Sequence, residues 1–303
     1  MAESPAPTGA GPEIRPPLFR RMHPVTFVIV VLGIVFILYQ IVAGLATVLL
    51  LGRTITQESA VLMRIGTVAG QILCILVPTL LLTRARYGAV IQPLRLRLPS
   101  PLDTIVVCIA VFSLQQVLQG YMIAQDAIPL PPRIQHYVQM FKDLMEQTYR
   151  ILVTAGSPRE FVGVVLTVAL VPAIVEELLF RGLVQRDLEA VSGGLGSALI
   201  AGVIFGLYHL NPFSVVPLIV LGMFFGFVVY RSQNITLAMT AHFLNNFIAS
   251  CALYLNLGDD FLVFAPSGAP STRAIVFNTL ASLVVFIAAT YYFVRVHPSE
   301  ETD

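Results

Sequence analysis

The chain has 303 residues, of which 56% are hydrophobic and only 12% are Asp, Glu, Lys or Arg. Soluble globular proteins carry about 25% of these charged residues, so the composition excludes an ordinary soluble domain and also a disordered chain. The formal net charge of +1 excludes the strong positive field of a nucleic-acid-binding protein. We therefore expect a polytopic membrane protein whose partner is the lipid bilayer and not a nucleic acid.

The first segment, residues 1–24, is polar and rich in Pro and Gly. We predict a disordered tail there, because such a composition cannot bury a hydrophobic core. Residues 298–303 form a second short polar tail. Between the tails, the sequence predicts a single transmembrane domain over residues 25–297.

Eight apolar stretches follow one another through this domain, and a membrane-spanning helix needs about 20 mostly apolar residues. The fifth stretch is short for a full span, and the fourth is long enough that it has to tilt or extend beyond the lipid. The predicted spans are residues 24–51, 61–83, 102–124, 160–190, 195–209, 213–231, 235–257 and 274–296.

Residues 134–152, between the third and fourth spans, alternate apolar and polar side chains with helical spacing. This pattern predicts an amphipathic helix that lies in the membrane interface. The predicted fold class is therefore all-α: a polytopic membrane helix bundle with about eight transmembrane helices and one interfacial amphipathic helix.

Arginine residues concentrate at alternate ends of the predicted spans. They are Arg15, Arg20, Arg21, Arg84, Arg86, Arg95, Arg97, Arg181, Arg186, Arg231 and Arg295. Since positive charge favours the cytoplasmic side, both termini are predicted to be cytoplasmic. The chain has 17 Arg and one Lys, a ratio typical of a GC-rich bacterial genome, so we expect a multi-pass protein of a bacterial plasma membrane.

The fourth span contains charged residues where charge is costly, which makes each of them a candidate functional residue. Glu177 and Arg181 are spaced i, i+4 and share one helix face, so they can form an ion pair that supports the site. Glu176 lies about 100° around the helix from Glu177. It therefore faces a different environment and needs another partner.

Two other spans offer such partners. His209 ends the fifth span, and His242 and Asn246 share one face of the seventh because they are spaced i, i+4. Counted inward from the cytoplasmic helix ends at about 1.5 Å per residue, Glu176 and His209 each lie roughly 20 Å deep, and the other two lie about 10–17 Å deep. We predict that the four side chains meet in one polar chamber, whereas Asn245 faces away and is structural.

The residue types leave more than one chemistry open. A single intramembrane His is more often a helix–helix contact than a catalyst, and a Glu–Arg pair can be a structural staple or part of a transport path. A carboxylate near imidazoles can deprotonate a water, and a His–Asn pair can donate hydrogen bonds to an oxyanion. Glu176, His209 and His242 would equally form a three-ligand zinc site with an open position.

Three motifs occur in order on successive spans, and together they resemble the CPBP family. They are Glu176-Glu177-x-x-x-Arg181, Phe205-x-x-x-His209 and His242-x-x-x-Asn246. This family includes CAAX prenyl endopeptidases of the Ras-converting type and bacterial abortive-infection and bacteriocin-processing relatives. The resemblance covers about residues 160–257, which would form the catalytic core, and the eight-span layout agrees beyond that segment.

The resemblance implies an intramembrane endopeptidase with Glu176, His209, His242 and Asn246 as catalytic residues. Glu176 and His209 would activate the attacking water, while His242 and Asn246 would stabilise the oxyanion and the Glu177–Arg181 pair would support the site. The family has been described both as metalloproteases and as glutamate-dependent proteases. Because no HExxH helix is present, we favour Glu/His-activated water and keep Zn²⁺ as the alternative cofactor.

The expected substrate is a membrane-associated or lipidated protein or peptide. Eukaryotic family members remove the last three residues of prenylated proteins, which bacteria mostly lack, so a membrane peptide or a bacteriocin leader is also a candidate. The alternative function is a catalytically silent membrane scaffold, regulator or immunity protein on the same fold. A transporter is disfavoured, because the sequence shows no pair of related halves with broken spans.

Overall fold

The computed structural model describes residues 17–51, 59–255, 257 and 271–298, and in these ranges the regular structure is entirely helical. The helices are α1 (Pro24–Leu50), α2 (Ala60–Tyr87), α3 (Pro101–Asp126), α4 (Pro132–Val153), α5 (Pro158–Tyr208), α6 (Val215–Ser232), α7 (Ile235–Tyr254) and α8 (Thr272–Val296). They form a polytopic helical bundle, which confirms the predicted fold class.

Helix boundaries follow local sequence signals. Helices α3, α5 and α8 each begin after a serine whose hydroxyl accepts a hydrogen bond from the backbone N–H three residues later: Ser100, Ser157 and Ser271. Proline, which lacks an N–H that the first turn would leave unpaired, opens several helices. Helix α2 ends at Gly88, whose φ of 77° lies in the left-handed region that glycine tolerates.

Within the part of the chain that the structure describes, six helices are long and apolar enough to cross a membrane, namely α1, α2, α3, α5, α6 and α8. The chain is therefore a multi-pass integral membrane protein. Helix α7 is 20 residues long, and its His and two Asn residues reduce its apolar character. The second half of α5 and helix α7 correspond in position to the other two predicted spans.

Helix α5 folds back on itself at Gly193. Its 51 residues would reach about 75 Å as a straight helix, more than twice the hydrocarbon thickness of a bilayer. Gly193 has φ 68° and ψ 176°, a backbone conformation in which a residue with a Cβ atom would be strained. The rings of Phe180 and Phe205 lie 5.2 Å apart, although a straight helix would separate them by about 37 Å. We call residues 158–192 the first arm and residues 194–208 the second arm.

The second arm packs against α6 through glycine. A Cβ added to Gly202 would lie 2.6 Å from the Cα of Met223, and one added to Gly222 would lie 2.7 Å from the carbonyl oxygen of Gly202. Only glycine permits this approach, which brings the backbones of the two helices into direct contact. The carbonyl of Gly222 thereby reaches the interior of the bundle, next to the first arm.

Helix α4 carries a row of exposed apolar side chains, as the amphipathic pattern predicts: Ile134, Tyr137, Met140, Phe141 and Leu144. Its C-terminal end is held by Arg64 of α2, a side chain that is only 6% exposed. The Nε atom of Arg64 donates to the Leu152 carbonyl at 2.9 Å, and Nη2 donates to the Thr154 carbonyl. One end of α4 is therefore fixed to the bundle.

The two predicted tails fall partly outside the described residues, which exclude residues 1–16 and 299–303. Residues 17–23 pack against the bundle. The N–H of Phe19 donates to the Ala85 carbonyl at 3.0 Å, and Arg86 donates to the carbonyls of Phe19 and Met22. Arg86 also forms an ion pair with Asp187 at 2.8 Å, which joins the start of α1 to the end of the first arm.

Candidate active site

The hairpin of α5 brings Glu176 and His209 together. Glu176 lies in the middle of the first arm, and His209 directly follows the second arm. The Nε2 atom of His209 lies 3.8 Å from the Oε2 atom of Glu176. This separation is too long for a direct hydrogen bond, but it allows both atoms to contact one small molecule between them.

The backbone fixes the orientation of His209. Its Nδ1 atom lies 2.8 Å from the carbonyl oxygen of Phe205, one turn earlier in the helix. A carbonyl can only accept, so Nδ1 carries the proton, and in the neutral ring Nε2 keeps its lone pair. That lone pair is the part of the ring nearest to Glu176.

Glu177 points to a different region, as the 100° rotation predicts. Its side chain is fully buried, and its Oε1 atom accepts two hydrogen bonds. Arg181 donates from Nη1 at 2.8 Å, and His242 donates from Nδ1 at 2.9 Å. The ion pair with Arg181 is thus present, and the bond to His242 is an additional contact that spacing along one helix could not reveal.

Arg181 joins three parts of the bundle. Its Nη2 atom donates to the carbonyl of Gly222 at 2.7 Å. Its guanidinium carbon lies 4.7 Å from the ring centre of Phe205 and 5.4 Å from that of Phe225. These aromatic faces stabilise a buried cation that only one carboxylate neutralises directly. The ring of His242 stacks on Phe225 with centres 5.2 Å apart, which fixes the imidazole plane.

A cavity of about 280 Å³ contains all four predicted catalytic side chains. Glu176, His209, His242 and Asn246 contribute to its wall. The Nδ1 atom of His242 is bound to Glu177, so Nε2 is the ring nitrogen available to this cavity. The structure therefore brings the four predicted residues together, with the Glu177–Arg181 pair behind them.

Two hydrogen bonds hold the side-chain amide of Asn246 at the cavity wall. Its Nδ2 atom donates to the Val168 carbonyl at 3.0 Å, and its Oδ1 atom accepts from Asn245 at 3.1 Å. An amide nitrogen carries two protons, so one N–H of Asn246 remains for a ligand. Asn245 also lines the cavity, so the expectation that it faces away from the site is wrong.

The sequence interpretation missed the contributions of α1, α2 and α4 to the site. Tyr39 of α1, Thr67 and Gln71 of α2, and Tyr149 of α4 all line the cavity. Tyr39 lies in a π-helical turn at Ile37–Ala43. The polar Gln71 within an apolar span was the one signal available from sequence.

A second, smaller cavity of about 210 Å³ lies beside the first. Its wall is mostly apolar and includes Ile75, Leu179, Phe180 and Tyr208. Glu176 and His209 line both cavities, so this pair lies at the boundary between them.

The zinc alternative requires Glu176, His209 and His242 to share one metal position. Among the residues that the structure describes, no group of three or more His, Cys, Asp or Glu side chains is arranged to hold a metal ion. The residues therefore do not fit a three-ligand zinc site, and we derive no step through a metal.

Comparison with known proteins agrees with this arrangement of residues. Residues 158–248 match the family model described as type II CAAX prenyl endopeptidase Rce1-like. Neither the comparison with curated proteins nor the comparison with solved structures gave a match. The matched segment runs from the start of α5 into α7 and includes every predicted site residue, and its family description implies a protease. Residues 158–248 are thus similar to the Rce1-like family of type II CAAX prenyl endopeptidases.

Proposed function

We propose that the chain is an intramembrane endopeptidase that hydrolyses a peptide bond in a membrane-associated or lipidated protein or peptide. The observation that carries this proposal is the 3.8 Å approach of His209 Nε2 to Glu176 Oε2 in a cavity that also contains His242 and Asn246. The family match over residues 158–248 supports the same reaction class.

In this proposal, Glu176 and His209 activate the attacking water. The Oε2 atom of Glu176 is buried and has no hydrogen-bond partner among the described residues, so the carboxylate is free to accept a proton. The Nε2 lone pair of His209 can accept a second hydrogen bond from the same water and orient it. The water oxygen then attacks the peptide carbonyl carbon, its proton passes to Glu176, and the proton later moves to the departing amine.

In this proposal, His242 and Asn246 stabilise the oxyanion. The free N–H of Asn246 is one donor. His242, whose Nδ1 is bound to Glu177, can be the second donor when Nε2 also carries a proton. Donors held in fixed positions within a water-poor site stabilise developing charge more than they would in solution.

The decisive experiment uses purified protein reconstituted in liposomes and a detergent-solubilised bacterial membrane proteome. New peptide termini are identified by mass spectrometry for the wild type, Glu176→Gln and His209→Ala. We expect termini that only the wild type produces, because removal of the acid–base pair lowers the rate by about 10²–10⁴-fold. Identical termini from wild type and Glu176→Gln would overturn the proposal, provided that the variant shows the same size-exclusion profile.

Chelation separates the two water-activation mechanisms. We expect cleavage to persist after treatment with a chelator and measurement of residual metal, because the residues do not fit a three-ligand zinc site. Loss of cleavage that added Zn²⁺ restores would instead support the metal-dependent mechanism.

We also propose that both termini face the cytoplasm of a bacterial cell. The ion pair Arg86–Asp187 places the end of α2 and the tip of the α5 hairpin at one end of the bundle. Arg231 at the end of α6 donates to the Val294 carbonyl near the end of α8, so these two ends also coincide. This agrees with the positive-inside rule, and a C-terminal fusion to a reporter that is active only in the cytoplasm tests it.

A further inference from the structure

We propose that a third cavity, at one end of the bundle, binds the phosphate-bearing headgroup of an anionic phospholipid. Its volume is about 730 Å³, and we call it the basic cavity. The segment before α1, the end of α2 and the tip of the α5 hairpin form its wall, with Arg20, Arg86, Tyr87, Arg186, Asp187 and Glu189 as its polar residues. None of these residues lines either cavity of the candidate active site, so the inference is independent of the proposed protease function.

Both carboxylates of the basic cavity are neutralised within the protein. Asp187 accepts hydrogen bonds from Nε and Nη2 of Arg86, at 2.8 and 3.1 Å, and from the hydroxyl of Tyr87 at 2.9 Å. Glu189 accepts from both Nη atoms of Arg95, at 2.6 and 2.5 Å. Two parallel bonds of this kind are the strong geometry of an arginine–carboxylate pair. Neither carboxylate therefore needs a further cation.

Two arginines of the wall are left without an equivalent partner. The side chain of Arg20 is exposed and forms no hydrogen bond or ion pair with any residue that the structure describes. Arg186 approaches Glu189 only to 3.5 Å, which is longer than the about 2.7–2.9 Å of a charge-assisted hydrogen bond. The basic cavity thus has two positive charges in excess, and its ligand should be an anion. Phosphate is favoured, because the guanidinium group matches two of its oxygens at once.

The position of the basic cavity favours a lipid as the source of that phosphate. The cavity lies where α1 begins and α2 ends, which is the level of the headgroups for helices that span the hydrocarbon core. Leu18, next to Pro17 of the wall, is 81% exposed, and Val191, next to Ala190 of the wall, is 46% exposed. These apolar side chains can contact acyl chains while the arginines bind the headgroup. Basic pockets between transmembrane helices bind anionic headgroups in this way.

The volume suits a headgroup better than a bare ion. A water molecule takes about 30 Å³ in the liquid, so the basic cavity has room for about 24 of them. A phosphodiester with its glycerol fills part of this space and leaves the rest for bridging water. Arg20 precedes α1 and Arg186 belongs to the first arm, so a lipid bound to both would join these elements beside the Arg86–Asp187 ion pair. We therefore expect the lipid to stabilise the protein.

The test measures lipid binding to the full chain, purified in detergent, by native mass spectrometry. Phosphatidylglycerol is the anionic probe and phosphatidylcholine is the zwitterionic one. We expect one phosphatidylglycerol to bind about tenfold more tightly than phosphatidylcholine and to raise the melting temperature. Arg20→Gln and Arg186→Gln should each weaken phosphatidylglycerol binding by about fivefold, and the double variant by about 25-fold, since this is the usual contribution of one arginine to binding an anionic lipid.

Arg21→Gln is the matched control. Arg21 is the next arginine of the same segment and is also exposed, but it does not line the basic cavity. Its loss should leave the affinity for phosphatidylglycerol within about twofold of wild type. Ala190→Phe keeps every charge and should fill part of the basic cavity, because Ala190 is exposed at its wall. This variant should also weaken binding, and it keeps the test decisive if removal of Arg186 affects folding.

The outcomes are distinguishable. Weaker phosphatidylglycerol binding in Arg20→Gln and Ala190→Phe, but not in Arg21→Gln, supports the site. An equal loss in Arg21→Gln would assign the binding to general surface charge and overturn the inference. Equal affinity for the two lipids would overturn it as well. So would inorganic phosphate that raises the melting temperature as much as phosphatidylglycerol does, because the ligand would then be a soluble phosphate. None of these measurements depends on peptide cleavage, so the proposed function is tested separately.

Discussion

The buried pair Glu177–Arg181 makes a quantitative prediction about stability. Both side chains are fully buried and 2.8 Å apart. Glu177→Gln leaves the buried guanidinium of Arg181 without its negative partner, and Arg181→Met leaves the buried carboxylate of Glu177 without its positive partner. Removal of one partner from a buried pair costs about 3–5 kcal/mol, because the other charge stays in a low-dielectric environment. The double variant removes both charges and should recover most of that loss.

The assay is the temperature at which half of the detergent-purified protein is lost from the monodisperse size-exclusion peak. For a chain of this size, the single variants should lower that temperature by roughly 5–8 °C. Lys142→Met is the control, because the Lys142–Asp126 pair has side chains that are 27% and 52% exposed and should contribute at most about 1 kcal/mol. A double variant whose loss equals the sum of the two single losses would refute the reasoning.

Three further predictions concern packing, catalysis and dynamics. Gly202→Ala should destabilise the protein by about 1–3 kcal/mol, because the added Cβ would meet the backbone of α6. Gly66→Ala is the control, since a Cβ added at Gly66 has no atom within 4 Å. Equal melting temperatures for the two variants would contradict this prediction. Asn246→Ala should lower kcat by about 10²–10³-fold with little change in KM, and Asn245→Ala should have a much smaller effect; equal losses would assign the donor role elsewhere. Arg64→Met should increase amide hydrogen exchange at the C-terminal end of α4, and unchanged exchange would show that the helix is held by other contacts.

The sequence was sufficient to predict that Glu176 and His209 meet. Both residues lie at the same number of helical steps from the turn between their spans, so an antiparallel hairpin necessarily returns them to the same depth. The turn itself is also visible in the sequence, because consecutive glycines interrupt an otherwise apolar segment. Depth along a helix needs only the rise per residue, which varies little among helices.

The contact between Glu177 and His242 was not predictable in the same way. It depends on the rotation of α7 relative to the first arm, and this rotation is set by the packing of residues such as Phe225 between them. The position of Asn245 was misjudged for the same reason, since an ideal helical wheel assigns one face to a site that in fact spans more than one. Tyr39 could not be identified because α1 joins the site only through tertiary packing.

The two adjacent carboxylates are best understood by what each receives from its surroundings. Glu177 receives two donors on one oxygen, and the second of these sets the ring of His242. Glu176 has no hydrogen-bond partner at Oε2 among the described residues and has His209 Nε2 3.8 Å from that atom, so it remains available as a base. Adjacent positions on a helix produce this difference because the side chains diverge by about 100°.

The glycine contact between the second arm and α6 helps to hold Arg181 beside Glu177. The carbonyl of Gly222 reaches Arg181 only because Gly202 allows the two backbones to touch. If α6 moved outward, Arg181 would lose that acceptor and its position beside Glu177 would loosen. His242 would then lose its fixed partner, so Gly202→Ala should lower kcat as well as stability, even though no atom of Gly202 lines either cavity.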